Sequence, residues 1–214
     1  MKNITPILKY FGIFIVVYAA LFALFSMQPV ATATNSAYRA ITAPVLQAIF
    51  PKAYLKLEKD APPELDINTV RTVFTSKKKI EESKARARQQ GSSKIDLKAK
   101  EYDIYLNLLF TSFWLFLISL ILITPISIKQ KLAGILVGTL LFYAYSVFKI
   151  SIFLLDLFNR SELQMYKLGE TGSAIAEGLS YVLKSLGLSA FIVVIIWVFV
   201  AFRKSNWKGI LMNG

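Results

Sequence analysis

The chain has 214 residues, of which 55% are hydrophobic, 14% aromatic and only 18% charged, with a net charge of +12. A soluble domain carries about a quarter charged residues, and here the deficit is uneven: long uncharged runs surround a stretch, residues 52–103, dense in Lys, Arg, Asp and Glu. There is no cysteine and no histidine, which excludes disulfides, thiolate metal centres and histidine-based acid–base or metal chemistry.

Such segregation belongs to a chain that dissolves partly in hydrocarbon and partly in water. The predicted fold is an all-α integral membrane protein of four transmembrane helices, with a small mixed α/β extracytoplasmic segment between helices 1 and 2. Helix 1 is predicted over residues 7–27, interrupted only by Lys9. Lys2, Lys9 and the small residues Ala31-Thr32-Ala33 also fit a cleavable signal peptide. The apolar run exceeds the usual 7 to 15 residues of such a signal, so a retained anchor is the preferred reading.

Residues 28–103 form the basic extracytoplasmic segment. Ser36 to Phe50 places Tyr38, Ile41, Val45, Leu46 and Ile49 on one helical face and stops at Pro51, the pattern of an interfacial helix. Pro62-Pro63 mark an extended turn. Thr69–Thr75 and Lys94–Lys98 alternate as strands, and Tyr54–Glu58 adds a third. The expected result is a small, incomplete sheet resting on the membrane or on a partner. The cluster Lys77, Lys78, Lys79, Lys84, Arg86 and Arg88 suits an anionic lipid or polysaccharide at the outer face, or an acidic partner. The plain alternative is a solvated, partly helical hairpin tip. Nucleic acid is not expected, because this surface faces away from the cytoplasm and has almost no interleaved aromatics.

Helix 2 is predicted over 104–126, with Pro125 ending it, and helix 3 over 132–158. Each predicted span approaches the roughly 20 residues that cross a hydrocarbon core of about 30 Å. None alternates with period two, and backbone groups in lipid must pair within their own segment, so helices are required. Gly134 and Gly138 form a G-x-x-x-G in helix 3, a motif that lets two helix backbones approach, within the chain or against a partner. Helix 3 also carries Lys149 and Asp156, seven residues apart on nearly one face. Either they form a buried pair or substrate path, or Lys149 snorkels outward and Asp156 sits in the interface.

An outer loop over 159–185 follows. In it Ile175, Leu179, Val182 and Leu183, with Leu186, share an amphipathic face opposite Glu177, Ser180 and Lys184. This is an interfacial helix or, more simply, an outward extension of helix 4, predicted over 186–203 before a tail at 204–214. Lys2, Lys9, Lys129, Lys131, Arg203, Lys204 and Lys208 carry no acid among them, whereas the 159–185 loop mixes signs. By the positive-inside rule both termini are cytoplasmic, in a multi-pass cytoplasmic (inner) membrane protein. The basic 28–103 segment exceeds the roughly 60 residues over which that rule counts, so its charge does not oppose translocation.

No G-x-x-x-x-G-K-[ST], H-E-x-x-H or G-x-S-x-G occurs, and neither Glu81-Glu82 nor Glu58/Asp60 has a desolvating sequence context. No catalytic residue, metal ligand or cofactor is expected.

Three local runs carry a family resemblance: Tyr105-Leu-Asn-Leu-Leu-Phe110, Leu120-Ile-Leu-Ile-Thr-Pro125 and Lys131-Leu-Ala-Gly-Ile-Leu-Val-Gly138. Together with the layout of one anchor, a short outer segment and three further spans, they resemble the small membrane proteins that accompany bacterial exosortases, over about residues 100–160. Exosortases use a Cys, Arg and His set, so this chain is not the peptidase. The resemblance implies an accessory in envelope protein sorting or exopolysaccharide-linked export. The expected function is thus a non-catalytic accessory or assembly subunit beside a larger integral membrane protein. The alternative is a small transporter or lipid-handling protein using Lys149 and Asp156.

Overall fold

The computed structural model describes residues 4–58, 69–89, 99–160 and 165–202. The expected Pro62-Pro63 turn, the Lys94–Lys98 strand and the 204–214 tail lie outside the described residues. In chain order the elements are α1 (Ile4–Ser26), α2 (Gln28–Ile49), β1 (Ala53–Glu58), β2 (Thr69–Ser76), α3 (Lys77–Gln89) and β3 (Lys100–Tyr105). A π-helical turn (Asn107–Thr111), α4 (Ser112–Ile123), α5 (Ile128–Arg160), α6 (Glu170–Leu183) and α7 (Leu186–Val200) complete the chain.

Two helices, α1 from Leu8 and α5, are long and apolar enough to cross a membrane, and the bent pair α6–α7 makes a third if counted as one span. The predicted span over 104–126 is divided. Its first residues finish β3, and the apolar helix proper covers only Asn107–Ile123. The physical reason is that Ile104 pairs with Val70 in the sheet and is buried there, so its hydrophobicity serves a strand. At the other end Thr124 turns to an extended conformation and its N–H bonds Ile121, one residue ahead of Pro125, where the α conformation is disfavoured.

The chain forms two compact units. The first comprises residues 1–30, 107–146 and 183–214. In it α1 meets α4 through edge-on aromatic pairs, Phe14–Phe116 at 5.2 Å and Phe25–Trp114 at 5.3 Å between centroids. Leu115, Leu117, Ile121, Phe142 and Val193 are its fully buried centre. Polar side chains are satisfied across helices. Trp114 donates to Thr139 at 2.9 Å, Trp197 to Thr124 at 2.9 Å, and Tyr145 and Ser189 share a bond at 3.3 Å.

The second unit comprises residues 31–106 and 147–182. Its sheet runs β1-β2-β3, antiparallel throughout, with Leu55 opposite Phe74 and Thr72 opposite Tyr102. One face turns Ala53, Leu55, Val70, Thr72, Phe74 and Ile104 inward. On the other, Arg71 pairs with Glu101 at 3.0 Å and Asp103 at 3.2 Å. The hydrogen bond that Arg71 donates to Asp103 raises the guanidinium pKa above its ordinary value, while burial raises that of the Tyr102 phenol.

Two strands predicted from the sequence, over 54–58 and 69–75, are present as β1 and β2. The third strand of the sheet is Lys100–Tyr105. The sheet does not stand as a separate outer domain. It shares a core with the last fourteen residues of α5, where Phe74 meets Phe158 at 5.1 Å and Phe50 meets Phe158 at 5.1 Å. At 33 residues, α5 is about 50 Å long against a hydrocarbon core of about 30 Å. Part of it therefore always has an environment other than lipid.

α2 starts earlier than the predicted Ser36, at Gln28, with Pro29 in the first turn where its missing N–H is harmless. Its buried stripe is Ala31, Asn35, Tyr38, Thr42 and Leu46, whereas Ile41 and Ile49 are exposed. The expected face is thus rotated, because small and polar side chains make the close contacts. Gln47 ties this helix to the sheet, donating to Ala53 at 2.7 Å and accepting from the Leu55 amide at 3.2 Å.

Candidate anionic-ligand interface

α3 follows β2 without a linking loop, and this continuity fixes the basic cluster. Ser76 ends the strand, and the Lys77 amide donates to the Lys52 carbonyl at 3.1 Å. That bond sets the turn before β1 against the first turn of α3. Pro51, Lys52, Ser76, Lys77, Lys78, Lys79, Glu81, Glu82 and Met165 line an open cleft of about 460 Å³, within the size range of small-molecule sites. Four ammonium groups face two carboxylates there. Lys78 reaches Glu82 at 4.0 Å. Lys52, Lys77 and Lys79 have no ion pair among the described residues.

The wall behind Lys52 is aromatic. Its amide donates to the Tyr166 hydroxyl at 3.1 Å, and its Nζ stands 5.8 Å from the Tyr166 ring centroid, a cation–π distance. Tyr166 in turn stacks on Phe158 at 6.0 Å and meets Phe50 edge-on at 5.5 Å. Neither Lys52 nor Tyr166 was legible as a site residue. Lys52 is a lone cation after Pro51, and Tyr166 is 114 positions away, brought in by the fold alone.

The cleft carries a surplus of positive charge, four lysines against two carboxylates. Three cations and no acid occupy the first turn of α3, where the positive end of the helix dipole disfavours cations by about 0.3–1 kcal/mol each. An anion in the cleft relieves both the mutual repulsion and the dipole term. Arg86 and Arg88 sit in the last turn, where the dipole favours them, and with Lys84 they are exposed along the helix. They do not line the cleft.

The remaining sequence candidates are placed as follows. Gly134 and Gly138 are buried against α4. A Cβ at Gly138 would lie 3.3 Å from Leu117 Cδ2, and one at Gly134 would lie 3.5 Å from Ile121 Cγ2. Their small size thus serves packing within the chain. Lys149 is 3% exposed and engaged within the protein, so it does not snorkel to the surface. Asp156 binds Arg160 at 2.7 Å, and Arg160 also binds Glu177 at 2.9 Å. The Asp156 carboxylate is therefore satisfied by a neighbour one turn away and forms no common pair with Lys149. Among the described residues, no group of three His, Cys, Asp or Glu side chains is placed to hold a metal.

The fold defines a mostly helical chain with helices fit to cross a membrane and a small three-stranded unit bearing a lysine-lined cleft. No protein-family model, curated protein or solved structure gives a significant match to it.

Proposed function

We propose that the chain is a non-catalytic accessory subunit of a membrane complex that presents its basic cleft, across the membrane from the cytoplasm, to an anionic component. In this reading α1, α4, α5 and α7 are four spans of the cytoplasmic membrane, with both termini inside. Lys129 and Lys131 stand in the first turn of α5, directly after the α4–α5 turn, and this end is cytoplasmic in the same reading. Lys131 caps the end of α4 by donating to the Leu122 carbonyl. A larger integral membrane protein is the partner, and the exosortase-accessory resemblance over residues 100–160 suggests envelope protein sorting or exopolysaccharide-linked export as its setting.

The observation that carries the proposal is the convergence of Lys52, Lys77, Lys78 and Lys79 on one cleft, three of them without a carboxylate partner among the described residues. The transport reading is weaker, since Asp156 is held by Arg160 and not by Lys149. The test is purification of the full chain in mild detergent with quantification of what co-purifies. A single membrane protein at a fixed ratio, retained through a second column, is the expected result. A monodisperse chain that alone sustains transport or turnover in liposomes contradicts it.

A further inference from the structure

α6 is arranged unlike a surface helix of a soluble protein. The side chains it buries are Ala176, Ser180 and Leu183, two of them small. Its large apolar side chains point away: Ile175 is 57% exposed, Leu179 40%, Val182 52% and Tyr181 81%. Leu183, expected on the same stripe as Ile175, is instead among the buried set. At 100° per residue, Thr171, Ile175, Gly178, Leu179 and Val182 form one uncharged face, with Glu170 and Glu177 on the opposite side. A Cβ at Gly178 would meet nothing, so the face is continuous and open.

This orientation is held by polar contacts on α5 and the loop before α6. Arg160 binds Glu177 at 2.9 Å. Asn159 donates to Ser173 at 2.8 Å and accepts from the Leu168 amide at 3.0 Å. The outward apolar face is therefore a built feature. What covers it follows from connectivity. α6 ends at Leu183 and α7 begins at Leu186, so two intervening residues keep their ends within about 11 Å. α7 is an uncharged apolar helix. If its first turn enters the bilayer, the end of α6 is at the bilayer surface.

We propose that α6 lies in the plane of the outer bilayer surface. Ile175, Leu179 and Val182 enter the boundary with the acyl chains, Tyr181 sits at headgroup level, and Glu170 and Glu177 face water. The occupant of the face is lipid, not a protein partner. The inference rests on α7 being a membrane span, and the experiment separates the two claims.

The chain contains no cysteine, so single variants Ile175→Cys, Val182→Cys, Glu170→Cys and Ile195→Cys each offer one labelling site. Each full-length variant is spin-labelled and reconstituted into phosphatidylcholine–phosphatidylglycerol liposomes. Relaxation enhancement is then compared for oxygen, which concentrates in lipid, and for a water-soluble nickel chelate. Expected are oxygen-dominated signals at 175, 182 and 195, with the nickel effect several-fold larger at 170 than at 175. An oxygen-dominated signal at 195 with nickel-dominated signals at 175 and 182 overturns the α6 proposal and leaves the span standing. Low access to both reagents at 175 and 182 means a second copy covers the face and also overturns it. A nickel-dominated signal at 195 removes the span and the inference together.

Discussion

Phe74 on β2 and Phe158 near the end of α5 meet at 5.1 Å between ring centroids, tilted by 60°, and both are fully buried. This contact joins the sheet to the helix, and it explains why the basic segment is not an independent domain. Truncating either ring leaves a cavity in a small core, at a cost of about 3–5 kcal/mol. Phe158→Ala is accordingly expected to accelerate amide hydrogen exchange across β1, β2 and β3 by orders of magnitude while leaving α4 amides unchanged. Exchange unaltered in the sheet would contradict the shared core.

Gly134 and Gly138 differ in how much room they have. Gly134→Ala brings only ordinary contacts, the nearest at 3.5 Å, and gains up to about 1 kcal/mol in helix propensity. Gly138→Leu drives a branched side chain into Leu117 and Ile121, costing about 1–3 kcal/mol. Thermal denaturation in detergent should therefore show an unchanged or raised midpoint for the first variant and a clear fall for the second.

Much of the helical layout was legible because length and apolarity suffice to mark a span. The predicted 7–27 and 132–158 fall on α1 and α5, the two helices long and apolar enough to cross a membrane, whereas 186–203 falls on α7, which reaches that length only together with α6. What could not be read was which part of an apolar run serves lipid and which serves a protein core. Ile104 and the last turns of α5, including Ile150, Leu154 and Phe158, pack in the second unit, yet in sequence they look like lipid-facing residues. The same ambiguity hid the buried stripe of α2, whose Asn35 and Thr42 score as polar. The basic cluster was legible as charge. Its division into a cleft, made by Lys77 to Lys79 with Lys52, and an exposed far end was not, because it depends on the Lys77–Lys52 backbone bond.

Thr72 is fully buried on β2, and its hydroxyl has no hydrogen-bond partner among the described residues. An unsatisfied buried hydroxyl costs about 1–3 kcal/mol. Thr72→Val keeps the branched shape and the strand propensity, so it should stabilise the second unit by about 1 kcal/mol. Slowed exchange of β2 amides would register this gain, and a loss of stability would mean the hydroxyl is satisfied.

Near-surface lysines contribute about 1 kcal/mol each to binding an anionic surface. The triple variant Lys77→Gln, Lys78→Gln, Lys79→Gln should weaken binding to a soluble anionic polysaccharide about 100-fold. High salt should weaken the unmodified chain similarly. The corresponding Lys84, Arg86 and Arg88 triple should lose less, since those side chains are spread along the helix outside the cleft. Equal losses would reduce the cleft to undifferentiated surface charge.

The central claim is that the lysine cleft and the α4–α5 turn lie on opposite sides of the membrane. Single cysteines at Lys78 and Lys129, both exposed, test it in spheroplasts with a membrane-impermeant maleimide. Lys78→Cys should label in intact spheroplasts, and Lys129→Cys only after lysis. Labelling of both positions before lysis, or of Lys129→Cys alone, would contradict the proposed topology and with it the outward presentation of the cleft.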